Sequence, residues 1–238
     1  MPALATIADE IRARAVPEIA GRARDVDARR AFPVEGLQAL ADCGAYGLLV
    51  PTAHGGAGGS LEALADACEA VGAACASTAM VFLMHSVTAA TVAAGGGARA
   101  AGALSDMAGG TLGTLAFSER GTGAHFYAPE LRAVRANGGV RISGRKSFVT
   151  SGGRAGLYLV LVQTEAEGAA DAYLVRGDHR GVRAEGSWAG LGMAGNSSVA
   201  LSSTTSSSPT TTAWEARARP SRSSSARWRR SSWWGWRQ

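Results

Sequence analysis

The chain has 238 residues, 46% of them hydrophobic, which supplies a buried core for one or two domains and excludes a disordered or fibrous protein. Its formal charge of +5 would suggest a nucleic-acid binder, but residues 1–201 hold 17 basic and 18 acidic side chains, so the excess lies wholly in residues 202–238, with 7 Arg against Glu215. Cys43, Cys68 and Cys75 are odd in number and lack metal-ligand spacing, so they read as buried free thiols in a reducing cytoplasm.

Asp9 and Glu10 fall where a secretory leader would need apolar residues, so no signal sequence is expected. Thr6 and Asp9 form a capping pair for a first helix, with Ile7, Ile11 and Ala15 at intervals of four until Pro17 interrupts. The helix resumes from Pro17 towards Arg24, and Asp25 to Arg30 read as charged and exposed. Pro33 opens a second helix with Val34, Leu37, Leu40 and Ala41 on one face, ended by Gly44. GLLVPTAHGGAGGS is then a loop, and with neither G-K-[ST] nor G-x-G-x-x-G present it reads as a tight packing turn rather than a phosphate cradle.

Ser60 caps a third helix with Leu61, Leu64, Cys68 and Val71 in register, and Ser77 caps a fourth from Thr78 to about Ala94. This fourth helix is apolar on nearly every side, so His85 reads as a satisfied core histidine ahead of a ligand. The run Ala79 to Ala94 contains that histidine and is shorter than the roughly 18 residues a membrane span needs, so no membrane is expected. Gly95 to Gly97 breaks it, a short fifth helix covers Ala98 to Met107, and Gly109-Gly110 marks a change of architecture.

Strand grammar follows at Thr111 to Phe117, Leu131 to Ala136, Val140 to Thr150, Leu157 to Thr164, Ala172 to Arg176 and Val182 to Glu185, with a hairpin at Ala136 to Val140 through Asn137-Gly138-Gly139. Helices followed by strands give an α+β fold: an all-helical domain over 1–110, a small antiparallel β-barrel or sandwich over 111–201, and a disordered tail over 202–238.

The stretch from Leu112 to Gly153 carries the chemistry. It begins LGTLAFSERGTGAHF and closes with ISGRKSFVTSGG, so each end brings a strand, a hydroxyl and a glycine turn to one place, which suits a flat polar ligand at a sheet edge. These two segments resemble the flavin-contacting motifs of the acyl-CoA dehydrogenases, T-E-P-x-x-G-S-D and K-x-W-I-T-N-G. Upstream, FPVEGLQALADCGAYGLLVPTAHGGAGGS is similar to that family's helix and V-P-x-x-x-G-G-x-G turn. Downstream, GLGMAGNSSVAL is similar to its G-M-R-G-S-x-x-x-x-V segment, and the likeness covers residues 30 to 201. Arg120 stands at the family's proline, Ala124-His125 at its Ser-Asp, and Ala194 at its arginine.

The resemblance implies an FAD-dependent oxidoreductase of fatty acid metabolism that oxidises acyl-CoA, or a carrier-bound acyl thioester, at the α,β carbon–carbon bond. It implies cofactor contacts at Leu115, Phe117, Ser118, Gly121, Gly123, Phe148 and Thr150, with Phe148 covering the ring and Thr150 near its hydride-accepting N5, and substrate contact at Ala124. Relatives assemble as homo-oligomers and pass electrons to an acceptor that nothing here names. They take the catalytic base from a C-terminal helical bundle, so no catalytic residue is assigned, and Glu119 is expected to be a structural acceptor for backbone groups or arginine. A flavin-dependent monooxygenase or a carrier-protein dehydrogenase of the same fold is the sister reading. No G-x-S-x-G elbow, H-E-x-x-H or P-loop points elsewhere.

Residues 202–238 hold 11 Ser, 7 Arg and five of the six tryptophans. Such a segment could bind nucleic acid through arginines and stacking rings, making the chain a non-enzymatic binder. A shifted reading frame that truncates the family's pattern accounts for it more simply, and implies a chain without turnover of its own.

Overall fold

The computed structural model describes residues 4–95, 98–123, 125–136, 139–163, 170–203 and 214–216. Helix α1 (Leu4–Glu10), a π-helical turn (Ile11–Ala15) and α2 (Val16–Arg29) run on as one helical rod. Pro17 therefore does not interrupt the helix, and Thr6 lies inside α1 rather than at its cap. The widened turn precedes Pro17, which sits in the first turn of α2, where its missing N–H costs least. Ile7, Ile11, Ala15 and Ile19 form the buried stripe. The stretch expected to be exposed after Arg24 is instead helical as far as Arg29, because Val26 extends the stripe inward, and Arg30 ends it at φ 53°.

In α3 (Val34–Asp42) Gly36, Leu37 and Leu40 face inward, whereas Val34 in the first turn is 57% exposed. The glycine-rich loop is a packing turn, as read from its sequence. Gly58 N donates to Val50 O at 2.8 Å, Gly59 N to Leu48 O at 2.7 Å, and a Cβ on Gly56 would lie 2.0 Å from Val50 O. Ser60 caps α4 (Leu61–Ala74) by accepting from Ala63 N at 3.3 Å, although Leu61 itself stays 69% exposed.

Helix α5 (Ala76–Gly95) begins before Ser77, which is therefore inside it; its hydroxyl accepts from Gly195 N at 3.1 Å instead of capping. At 20 residues α5 is long and apolar enough to cross a membrane, so length does not exclude a span as the sequence suggested. Its buried residues, from Ser77 and Val81 through Phe82, His85 and Ala89 to Val92, instead make it the central helix of this fold, packed against α4 and the first strand. Helix α6 (Ala98–Ala108) follows. Cys43, Cys68 and Cys75 are free thiols, and burial raises the thiol pKa of Cys68 to about 11.

The strands are β1 (Gly113–Ala116), β2 (Ala133–Ala136), β3 (Gly139–Ile142), β4 (Gly144–Val149), β5 (Leu157–Gln163), β6 (Ala170–Arg176), β7 (Val182–Glu185), β8 (Val199–Ser203) and β9 (Trp214–Ala216). They form sheets ordered β1-β5-β6-β9, β2-β3 and β4-β8-β7. Among the described residues they do not close into a barrel, and β1 with β5 is a parallel pair while the other pairs of strands are antiparallel. The single strand expected over 140–150 is divided between two sheets. The break falls before Gly144, at φ 155°, where a Cβ would lie 2.3 Å from Leu131 Cδ1. The β2–β3 hairpin forms as expected, its tip at Asn137 and Gly138 lying outside the described residues. Strand β8, unanticipated, fills the centre of the third sheet, and β9 shows that three residues of the tail pair with β6; the rest of 204–238 lies outside the described residues.

Strand β5 shows why its sequence LYLVLVQ is nearly all apolar: it is buried on both faces. Leu157 and Leu159 join Val92, Leu104 and Met107 of the helical layer, while Tyr158, Val160 and Val162 join Ile142, Val149 and Leu201 beneath the other sheets. Helices and sheets are tied together at His85, at Ser77 and by the Arg154 guanidinium 5.9 Å above the Phe32 ring.

Candidate functional site

The chain leaves β1 at Phe117 and makes an excursion before returning at Leu131, where Gln163 N donates to Leu131 O at 2.8 Å. Glu119 closes the neck of this excursion, its carboxylate accepting from Glu130 N at 3.0 Å and from Leu131 N at 3.1 Å. A carboxylate only 8% exposed needs a cation, and Lys146 of β4 supplies it: Nζ lies 2.5 Å from Glu119 Oε1 and donates to Phe117 O at 3.2 Å. Burial pushes the Lys146 pKa down, and Glu119 opposes that shift. Glu119 is thus the structural acceptor that the sequence implied, with lysine in place of arginine.

Beside this neck, Ser147 N donates to Ser118 O at 2.8 Å, joining the two motifs through their backbones. The β4–β8 register then slips between Lys146 and Val149, and Phe148 sits in the slip at φ 53°, 69% exposed. A bulky residue in the left-handed region, extruded at a bulge, marks a position held there by its surroundings. Phe148 meets Trp188 edge to face at 6.4 Å, and both line a groove of about 680 Å³. Arg120, Arg145, Ser147, Glu185 and Ser198 contribute its polar lining. Arg145 is paired with Glu185 across the groove wall at 3.2 Å.

Thr150 is buried behind the bulge, its hydroxyl 3.0 Å from Ser198 Oγ and its carbonyl accepting from Thr114 Oγ1 at 2.8 Å. The segment carrying Met193 and Ser197, at φ 51° each, folds over this region, with Ser151 N donating to Asn196 O at 2.9 Å. Leu115 and Phe117 are half buried against the helical layer, and Phe117 stacks on Phe126 at 6.4 Å. Gly121 is exposed, and Gly123 turns the backbone at φ 52°. Ala124 lies outside the described residues. Phe148 is thus the implied cofactor contact that lines the groove, with Ser118 and Thr150 attached to its walls by hydrogen bonds. Arg145, Glu185 and Trp188, which also line it, were not anticipated; only the alternation of β4 and β7 across a common neighbour could have brought Arg145 and Glu185 together.

His85 is the satisfied core histidine expected from its apolar helix. Its Nδ1 accepts from Gly113 N at 3.1 Å, so Nε2 carries the proton and donates to Tyr46 O at 2.9 Å. Burial holds its pKa down at about 4.

A helical layer followed by packed sheets is the acyl-CoA dehydrogenase-like fold. It is shared with butyryl-CoA dehydrogenase from Megasphaera elsdenii at a TM-score of 0.73 over 84% of this chain and 54% of that one, at 20% identity, a likeness of fold alone. The chain belongs to the acyl-CoA dehydrogenase family, matching its N-terminal domain over residues 2–111 and its middle domain over 114–205. It is 32% identical over 172 residues to cyclohex-1-ene-1-carbonyl-CoA dehydrogenase of Syntrophus aciditrophicus, covering 65% of this chain and 38% of that protein. It is also similar to KijD3, solved with FMN and an amino sugar linked to dTDP, with a TM-score of 0.72 and 25% identity over 86% of this chain and 52% of that one. The chain thus spans about two fifths to one half of the length of these relatives.

Proposed function

We propose that this chain is the flavin-facing part of an acyl-CoA dehydrogenase, holding FAD against the groove and serving the α,β-oxidation of an acyl-CoA or carrier-bound acyl thioester. The observation that carries the reading is Phe148, turned outward at φ 53° into a groove that Trp188 walls on another side. Such a site fits a flat ring with a polar edge and an anionic arm: rings shield its face, and Arg120 offers positive charge. Leu115, Phe117, Ser118, Gly121, Gly123 and Thr150 complete the proposed cofactor contacts, and the substrate contact implied at Ala124 belongs to the same proposal. When bound, the flavin would accept the substrate's β-hydrogen as hydride.

The residues of this chain bind, orient and exclude water; proton removal is another matter. The carboxylate among the groove-lining residues, Glu185, is held by Arg145, and Glu119 is held by Lys146 and two backbone N–H groups. We therefore assign neither as the α-proton acceptor. The division near Gly110 into a helical and a β domain, a cytoplasmic location, a homo-oligomeric assembly and a separate electron acceptor belong to the same proposal. A second reading, flavin chemistry on a substrate without CoA, has the likeness to KijD3 in its favour.

The test is fluorescence titration of the full chain with FAD. We expect saturable quenching, weakened in Phe148→Ala by about 1 kcal/mol, roughly fivefold in Kd. Binding that Phe148→Ala leaves untouched would remove the groove from the reading. A change in the bound flavin's absorbance on adding an acyl-CoA, absent on adding a nucleotide sugar, would favour the dehydrogenase over the second reading.

A further inference from the structure

We propose that Lys146 is a positioning residue, a pin that holds the 117–131 excursion to β4 so that the glycine turn and the Phe148 bulge meet the groove as one unit. Two connections converge on it. Glu119 closes the neck by accepting from Glu130 N and Leu131 N, and Lys146 Nζ then grips both Glu119 Oε1 and Phe117 O. Lys146 is the chain's only lysine among 24 basic residues, and it is 2% exposed, so its charge serves the interior and not the surface.

Phe148 follows two residues later on the same strand, past the register slip, and Arg120, the residue next to Glu119, lines the same groove as Phe148. The pin and the groove wall therefore share a strand, and the neck and the groove share a turn. Removing Lys146 leaves a buried carboxylate without its cation and frees Phe117 O, so the neck opens before the rest of the molecule does. The pin itself stands on these contacts; its effect on cofactor binding rests on the flavin reading above.

The experiment uses the full chain with Lys146→Met, Glu119→Gln and the double variant. Trypsin is applied under native conditions, and cleavage after Arg120 is followed by mass spectrometry against cleavage after Arg24 in α2, which reports wider unfolding. We expect Lys146→Met to speed cleavage after Arg120 by about tenfold or more relative to Arg24. The double variant, which carries no unpaired buried charge, regains thermal stability over Lys146→Met yet keeps the fast cleavage after Arg120. It also supplies the readout if Lys146→Met does not fold. FAD titration of the same proteins should weaken in parallel. Cleavage after Arg120 that rises only in step with Arg24, or not at all, overturns the pin. Selective opening of the neck in a chain that takes up no FAD, with or without the substitutions, supports the pin and overturns the flavin reading instead.

Discussion

Phe148 is held in a conformation that costs a bulky residue energy, and it spends most of its surface in solvent. Phe148→Gly should therefore raise stability, by up to about 1 kcal/mol in a urea melt, while weakening FAD binding, the trade expected where a strained residue serves a site. His85 gives a second prediction at this scale. Its folded pKa of about 4 lies below the ordinary 6.5, so the unfolded chain takes up the proton first. The histidine's contribution, about 3 kcal/mol, is complete above pH 6.5 and is lost as pH falls from there through about 4. His85→Ala leaves Gly113 N–H and Tyr46 C=O without their partner, so it should cost about 2–4 kcal/mol at neutral pH and flatten the acid side of the stability profile. Urea midpoints at neutral and mildly acid pH measure both effects.

At the scale of elements, the helices were legible where apolar residues recur at helical spacing, and their errors are local. Val34 and Leu61 satisfy the periodicity but occupy first turns that no described residue covers, and Ser77 looked like a cap because its partner, Gly195, is remote in sequence. The glycine positions separate into those with a contact to protect and those without. Gly56→Ala would press a methyl on Val50 O at 2.0 Å, and Gly195→Ala would press one on Ala31 O at 2.3 Å, so each should lower the unfolding free energy in a urea melt by about 2 kcal/mol. Gly102→Ala in α6 meets nothing within 4 Å and should instead stabilise by about 0.5–1 kcal/mol. Equal effects at all three positions would show that the close approach of the 193–198 segment to α2 is not maintained in solution.

For the whole molecule, the groove carboxylate is paired with Arg145 and the neck carboxylate with Lys146, so neither stands as an unpaired base beside a substrate carbon. With FAD and butyryl-CoA supplied, this chain should show no acyl-CoA-dependent dye reduction above background, since the described residues place no unpaired carboxylate in the groove and the lack of a positioned base costs about 10² to 10⁴ in rate. Turnover in that assay would mean that Glu185 or Glu119 can be released from its partner. Strand β9 also limits what the basic tail can do: residues 214–216 are engaged along β6, so this part of the tail is not free to follow a nucleic-acid backbone.

The α-then-β order, the glycine packing turn, the core role of His85 and the β2–β3 hairpin were legible in the sequence, because each follows from residue type and near-neighbour spacing, whereas the acceptor role of Glu119 was legible only through the family resemblance of its motif. Their geometry at the site was not. The parallel β1–β5 pair, the split of the 140–150 stretch at Gly144, the extrusion of Phe148 and the groove shared by Arg120, Arg145 and Trp188 depend on strands that are distant along the chain. The Lys146–Glu119 pin joins positions 27 residues apart, and only the packing of β4 beside the exit of β1 brings the two charges into contact. Local chemistry sets which elements form and which residues can bind; which of those residues share one space is decided by pairings between distant strands, for which no local signal in the chain exists.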